Sequence, residues 1–382
     1  MKFFNKLFAR IILKKFDYIS YGYLKVHLLD DTIECFGNKS STPVNLYVKN
    51  EKFFLDLLLG GNIGLGESYT KEYWDTDNLT NLICLFIKNI EQLKKNGLNN
   101  IFIKKILLIF NNLLKTNTKK QSKKNIYAHY DLGNDFYKLF LDKDTMMYSS
   151  AIFDKSNITL GNAQKNKLQK IIKLSNIQSH HHVLEIGCGW GGFAIEAVRS
   201  TGCLVTAITI SKEQYIFAKQ KIKEEGLEHK IDIQLCDYRD IKGSFDRIVS
   251  IEMLEAIGKL YYGKFFKKCD KLLNKEGKVF LQVITIPDQR FDAYARNPDW
   301  IQKHIFPGGA LPSLFELSKS IKKSSSMQIQ YINNIGIHYA QTLNCWRTSF
   351  ENQHDRIQEL GFNDVFFRKW IYYLSYCEAG FK

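Results

Sequence analysis

Val183-Leu184-Glu185-Ile186-Gly187-Cys188-Gly189-Trp190-Gly191-Gly192 runs from strand-forming residues into a glycine-rich turn, and a helix-like segment, 193–199, follows it. Glycines in such a turn let the backbone approach a ligand at the C-terminal edge of a parallel sheet, beside a helix N-terminus. Positions 187, 189 and 192 satisfy the GxGxxG spacing of a dinucleotide site, which by itself is a weak signal. Two features argue against a nicotinamide cofactor. The next strand ends Thr206-Ala207-Ile208-Thr209-Ile210-Ser211 without the carboxylate that would hold a ribose, and an acid, Glu185, precedes the first glycine by two positions. Outward from the turn, strand-like runs at 183–186, 204–210, 231–235, 245–251 and 278–286 alternate with helix-length segments. That alternation predicts an α/β fold with a mostly parallel, doubly wound, Rossmann-like sheet.

Upstream the pattern changes. Short β-like runs at 24–29 and 44–48 and helical runs at 53–59 and 79–90 predict a smaller α+β unit. From 92 to 130 the chain is rich in Lys and lacks Asp and Glu, and 116–125 reads as a connecting segment. The expected organisation is an N-terminal domain over 1–115, a linker over 116–127 and a second domain over 128–382. A chain of 382 residues, 45% of them apolar, has the material for both cores. The formal net charge of +15 favours a polyanionic partner, either nucleic acid or an anionic membrane surface. The 8 cysteines include no CxxC pair, and charges interrupt the first fifteen residues, so a reduced, cytoplasmic protein is expected. No uncharged apolar window of about 18 residues occurs, which leaves only peripheral membrane contact. Lys2, Lys6, Arg10 and Lys14 repeat every fourth residue beside Phe3, Phe4, Leu7, Phe8, Ile11 and Ile12, the pattern of an interfacial helix; packing on its own domain is the other reading.

The hhEhGxGxG pattern around Glu185 resembles motif I of class I S-adenosylmethionine-dependent methyltransferases, in which the acid lies near the methionine end of the cofactor. Five further blocks extend the likeness. They are Tyr127-Ala128-His129-Tyr130-Asp131-Leu132-Gly133-Asn134-Asp135-Phe136-Tyr137, Met146-Met147-Tyr148-Ser149-Ser150-Ala151-Ile152-Phe153, Ser250-Ile251-Glu252-Met253-Leu254-Glu255-Ala256-Ile257-Gly258, Ile305-Phe306-Pro307-Gly308-Gly309-Ala310-Leu311-Pro312-Ser313 and His338-Tyr339-Ala340-Gln341-Thr342-Leu343. Together they resemble the cyclopropane-fatty-acyl-phospholipid synthase family, which includes the mycolic acid cyclopropane synthases. The stretch 63–69 looks like the N-terminal domain of the full-length bacterial members.

The resemblance implies methylene transfer from S-adenosylmethionine to a cis double bond of an unsaturated phospholipid acyl chain, by a protein at the inner face of the membrane. It implies cofactor contacts at Tyr148, Ser149, Glu185, Gly187, Gly189, Thr209, Ile210, Ser211, Gln214, Asp237, Tyr238 and Arg239. It further implies a bicarbonate ion as the active-site base, cradled by Ser150, Glu255, Gln282, Ile284 and Tyr339, and it implies homodimerisation; of the two acids three positions apart, Glu252 and Glu255, the resemblance picks Glu255, and Glu252 reads as an outlying partner. An alkene is a weak nucleophile, so the methyl must be presented in line and dry, and a base must then remove a proton.

Four departures bear on the outcome. Ser150 stands where the family commonly has Cys. Gln282 stands where it often has His, and Glu255-Ala256-Ile257-Gly258 replaces EHxG; Gln donates a hydrogen bond but carries no proton. Relatives of this pattern also form methyl or methylene branches. The ending at 376–382 stands where relatives continue into another strand. A nucleic-acid methylase is the alternative from another class, but the Asn/Asp-Pro-Pro-aromatic turn of amine methylases is absent at 250–254. No metal site is expected: adjacent His180, His181 and His182 entering a strand point to opposite faces. Cys188 reads as a packing residue and His129 as a wall or structural residue.

Overall fold

The computed structural model describes residues 2–95, 132–154 and 158–382. The linker at 116–127, nearly all of the Lys-rich stretch, and His129 and Tyr130 lie outside the described residues. The chain divides into two compact units, Met1–Leu114 with Leu343–Lys382, and Lys115–Thr342. The C-terminal forty residues therefore do not belong with the segment starting at 128, as the sequence boundaries had it; the division falls within the helix Gly336–Glu351.

The first unit carries a sheet of order β2-β1-β3-β4, with β1 Tyr23–His27, β2 Ile33–Gly37, β3 Pro43–Val48 and β4 Trp74–Asp75. Leu24 and Val26 of β1 are wholly buried, as are Leu46, Phe53 and Trp74. The helix Lys52–Thr70 is interrupted at Gly61, whose φ of 55° is open to glycine and costly for other residues. The helix Asp364–Phe381 begins where the Asn363 side chain accepts the Phe366 N–H, and it buries Trp370, Tyr372 and Leu374. Sequence had no signal for the fate of this last element, because its apolar face covers residues about three hundred positions earlier: Arg368 donates to the carbonyls of Tyr69 and Trp74.

The amphipathic helix Lys2–Phe16 is present. Ile12 and Phe16 are buried, and Phe16 lies 5.7 Å from both Phe36 and Phe86. Of the expected membrane face, Ile12 thus serves the unit's own core, whereas Leu7, Lys6, Arg10 and Lys14 are exposed and Phe8 and Ile11 half-buried.

The second unit holds a five-stranded sheet of order β7-β6-β5-β8-β9, parallel throughout: β5 His182–Ile186, β6 Leu204–Thr209, β7 Ile231–Leu235, β8 Phe245–Ile251 and β9 Leu273–Gln282. Near-continuous Val, Ile and Ala runs in β5, β6 and β8 are what a sheet covered on both faces requires. One face packs on the helices Leu160–Leu174 and Gly192–Thr201 through Leu168, Ile171, Phe193 and Val198. The other packs on Tyr262–Leu272 through Phe265, Phe266 and Cys269. The last strand starts earlier and stops at Gln282 rather than at 286. Beyond it the backbone leaves the ladder for the site: Ile284 N–H donates to the Glu255 carboxylate at 2.5 Å, and Ile286 N–H to the Pro312 carbonyl at 2.9 Å. The order reverses between β5 and β8, which puts a crevice at the carboxyl ends of these strands.

Candidate active site

The turn after β5 is held by two donors, the N–H groups of Gly187 and Cys188, both to the Ile208 carbonyl at 2.9 and 3.0 Å. Gly187 has φ 81°, and a Cβ there would sit 2.8 Å from Met253 Cγ. Gly189 has φ 53° and faces open space. Trp190 donates its indole N–H to Asn134 at 2.7 Å and lies 5.0 Å from Tyr137, which in turn is 5.4 Å from Tyr148. The block from Asn134 to Tyr137 is thereby an aromatic wall for the glycine turn.

One cavity opens on this turn. Tyr148, Ser149, Glu185, Gly187, Gly189, Thr209, Ile210, Gln214, Asp237, Tyr238 and Arg239 line it, with Met146, Met147, Trp190, Cys236, Glu252 and Met253 among their neighbours. Ser211, also expected at the cofactor, is not in that wall. Its hydroxyl caps the helix Lys212–Glu224 by accepting the Gln214 N–H, which fixes Gln214. Thr209 Oγ1 and Gln214 Oε1 are 2.9 Å apart, and Asp237 is clamped by Arg239 through its backbone N–H at 2.9 Å and its Nε at 2.7 Å.

Glu185 tests the cavity's fit to a cofactor. It is 2% exposed, its Oε2 has no hydrogen-bond partner, and burial pushes its carboxyl up to about 8 although Lys167 opposes the shift. A buried carboxylate oxygen aimed at a cavity is a place for a cation, which the ammonium of S-adenosylmethionine supplies. Lys167 is itself fully buried, donates to Ser149 Oγ at 2.8 Å, and is pulled down to about 7 by desolvation. Sequence reading missed it; a Lys on the apolar side of the helix 160–174 was the available signal.

The five residues expected to cradle an anion come together, but around glutamates rather than around a gap. Ser150 N–H donates to Glu252 Oε1 at 2.9 Å, Gln282 Nε2 donates to the same oxygen at 2.8 Å, and Tyr339 hydroxyl donates to Oε2 at 2.7 Å. Ile284 N–H goes to Glu255. Glu252 is therefore no outlying partner: it lines the cavity and takes the donors. Bicarbonate does not fit this cradle, because the groups that would bind it are engaged with the chain's own carboxylates. The helix Gly336–Glu351 braces the arrangement, with Thr342 Oγ1 accepting Ala151 N–H at 3.0 Å and His338 Nδ1 accepting Phe153 N–H at 3.3 Å.

Of the histidine triple, His181 Nδ1 accepts Gln178 N–H and His182 Nε2 lies 2.9 Å from Thr206 Oγ1, so the rings serve separate local contacts. Cys188 is buried within the turn, and burial holds its thiol well above the usual value, as befits a packing residue. No described helix is long and apolar enough to cross a membrane.

The comparisons agree with this geometry. The family model described as mycolic acid cyclopropane synthetase matches residues 117–382. The chain is 36% identical to the tuberculostearic acid methyltransferase UfaA1 of Mycobacterium tuberculosis, over 84% of this chain and 76% of that protein. It is 35% identical to the cyclopropane-fatty-acyl-phospholipid synthase of Escherichia coli K12, over 90% of this chain and 85% of that protein. Among solved structures, mycolic acid cyclopropane synthase CmaA1 complexed with SAH and CTAB superposes with a TM-score of 0.64 at 29% identity, covering 68% of this chain and 93% of that one. The glycine turn, the cavity at the sheet's switch point and these likenesses lead to one conclusion: the chain belongs to the mycolic acid cyclopropane synthetase family and is an S-adenosylmethionine-dependent methyltransferase.

Proposed function

We propose that the protein transfers a methylene group from S-adenosylmethionine to a cis double bond of a phospholipid acyl chain, closing a cyclopropane ring. The observation that carries this reading is a cavity that joins a cofactor turn to a half-buried carboxylate, Glu252, held by Ser150, Gln282 and Tyr339. The cofactor supplies an electrophilic methyl group. The chain supplies the rest: Glu185, Gly187, Gly189, Gln214 and Asp237 hold the ligand, and the Met146, Met147 and Trp190 side excludes water from the reacting end. Tyr148 and its aromatic neighbours offer ring faces to the positive charge that forms on the alkene.

A second reading, methyl- or methylene-branch formation, is favoured by Gln282 and by the likeness to a tuberculostearic acid methyltransferase. We also propose peripheral association with the inner membrane face, cytoplasmic location, a homodimer and no nucleic-acid partner. The exposed Lys6, Arg10 and Lys14 and the +15 charge support the membrane surface.

Purified protein is incubated with S-adenosylmethionine and vesicles of cis-monounsaturated anionic phospholipid, and the acyl chains are analysed by mass spectrometry and proton NMR. A chain heavier by one methylene unit with cyclopropane proton signals is expected. A branched product moves the chemistry to the second reading, and failure to modify any unsaturated acyl chain overturns both.

A further inference from the structure

Two half-buried glutamates stand just past the carboxyl end of β8, and of the two Glu252 lines the cavity. Its two oxygens receive the Ser150 N–H, the Gln282 amide and the Tyr339 hydroxyl. A carboxylate and a bicarbonate present the same pair of anionic oxygens, so this donor set serves one or the other. The backbone at Glu252 is held at φ 49°, with its N–H bonded to the Gln282 carbonyl at 2.8 Å. Left-handed backbone and a carboxylate largely withdrawn from solvent are both unfavourable for stability, and their coincidence at a cavity wall marks a functional position. Resting on the reading that the protein methylates an acyl alkene, we infer that Glu252 is the chain's own catalytic base, standing in the place of an external bicarbonate.

The step balances without another reactant. The alkene π pair forms a bond to the methyl carbon as the carbon–sulfur bond breaks and its electron pair stays on sulfur. The other alkene carbon is left cationic. Glu252 takes a proton from the new methyl group, the freed C–H pair closes the three-membered ring, and the carboxyl later passes its proton to solvent. Burial raises the Glu252 carboxyl above its usual value, and its three donors and Lys167 offset part of that rise. Glu255 receives a backbone donor from Ile284 and is pushed up to about 8 by burial and by the neighbouring Glu252.

Binding of carbon-13 bicarbonate is followed by NMR on wild-type and Glu252→Gly protein holding S-adenosylhomocysteine, and turnover is measured in carbon-dioxide-free buffer with and without added bicarbonate. The wild type is expected to bind none and to keep its rate when bicarbonate is withdrawn. Glu252→Gly, which suits the positive φ, is expected to bind bicarbonate, to lose turnover by roughly 100-fold or more without it, and to regain part with it. Glu252→Gln should lose turnover to a similar extent. Saturable bicarbonate binding by the wild type, a wild-type rate that falls on its withdrawal, or wild-type turnover in Glu252→Gln would overturn the inference. The wild-type binding result stands even if both variants fail to fold. It also needs no lipid, so it decides on the base separately from any failure to modify unsaturated chains.

Discussion

At the scale of single residues, the site is built from buried ionisable groups whose charges wait for a ligand. Glu185 is the clearest, with one oxygen unpartnered and its carboxyl raised to about 8 by burial. An ammonium arriving beside it favours the ionised form. Between the ordinary carboxylate range and about pH 8, cofactor binding should therefore release a proton, and affinity should rise with pH and level off above about 8. Calorimetry in buffers of different ionisation enthalpy checks this, and Glu185→Gln should abolish the slope and weaken binding by about 2 kcal/mol, roughly thirtyfold in Kd. Proton uptake on binding would contradict it. Glu185 was legible in the sequence because its spacing to the glycines is fixed. The role of Glu252 was not, since two acids three positions apart look alike until tertiary donors from Ser150, Gln282 and Tyr339 choose between them.

Elements set those residues in place, and here local pattern and tertiary context divide the credit. Strands β5, β6 and β8 were readable because their apolar runs match a sheet covered on both faces, and β7 because its Ile231, Ile233 and Leu235 alternate with polar residues. The end of β9 was not, because 283–286 are as strand-like as what precedes them and leave the ladder only to meet Glu255 and Pro312. The strand-to-helix turn is the least tolerant element. Gly187→Ala places a Cβ against Met253 at φ 81°, and should destabilise the second unit by about 1–2 kcal/mol while weakening cofactor binding, as read by thermal melts with and without S-adenosylhomocysteine. An unchanged melting temperature and affinity would show that the turn can relax.

Over the whole molecule, the first unit is assembled from both ends of the chain, an arrangement that no local signal announces. Its tie is Glu378, 0% exposed, bonded by Thr80 Oγ1 at 3.0 Å, Arg347 Nε at 3.1 Å and Lys382 Nζ at 2.7 Å. Burial pushes the Glu378 carboxyl up, but Lys382 and Arg347 outweigh it and hold it below its usual value. A lowered carboxyl contributes stability that is present above the unfolded value near 4.5 and lost as pH falls through the folded one. Arg347→Met should cost the first unit about 3 kcal/mol and shift its acid unfolding to higher pH, measured by circular dichroism. Deleting 364–382 removes Trp370, Tyr372 and Leu374 from that core. It should abolish the unit's cooperative melt while the transition that S-adenosylhomocysteine raises survives. Loss of both transitions would contradict the division.

The central claim is that the chain methylates an acyl alkene and then removes a proton from the methyl it has just added. The most direct test uses S-adenosylmethionine carrying a trideuterated methyl group with cis-monounsaturated phospholipid vesicles, followed by mass analysis of the acyl product. Retention of two deuterium atoms in the new carbon is the predicted result. Retention of all three would show that the methyl is never deprotonated, and absence of label from the lipid would refute the transfer itself.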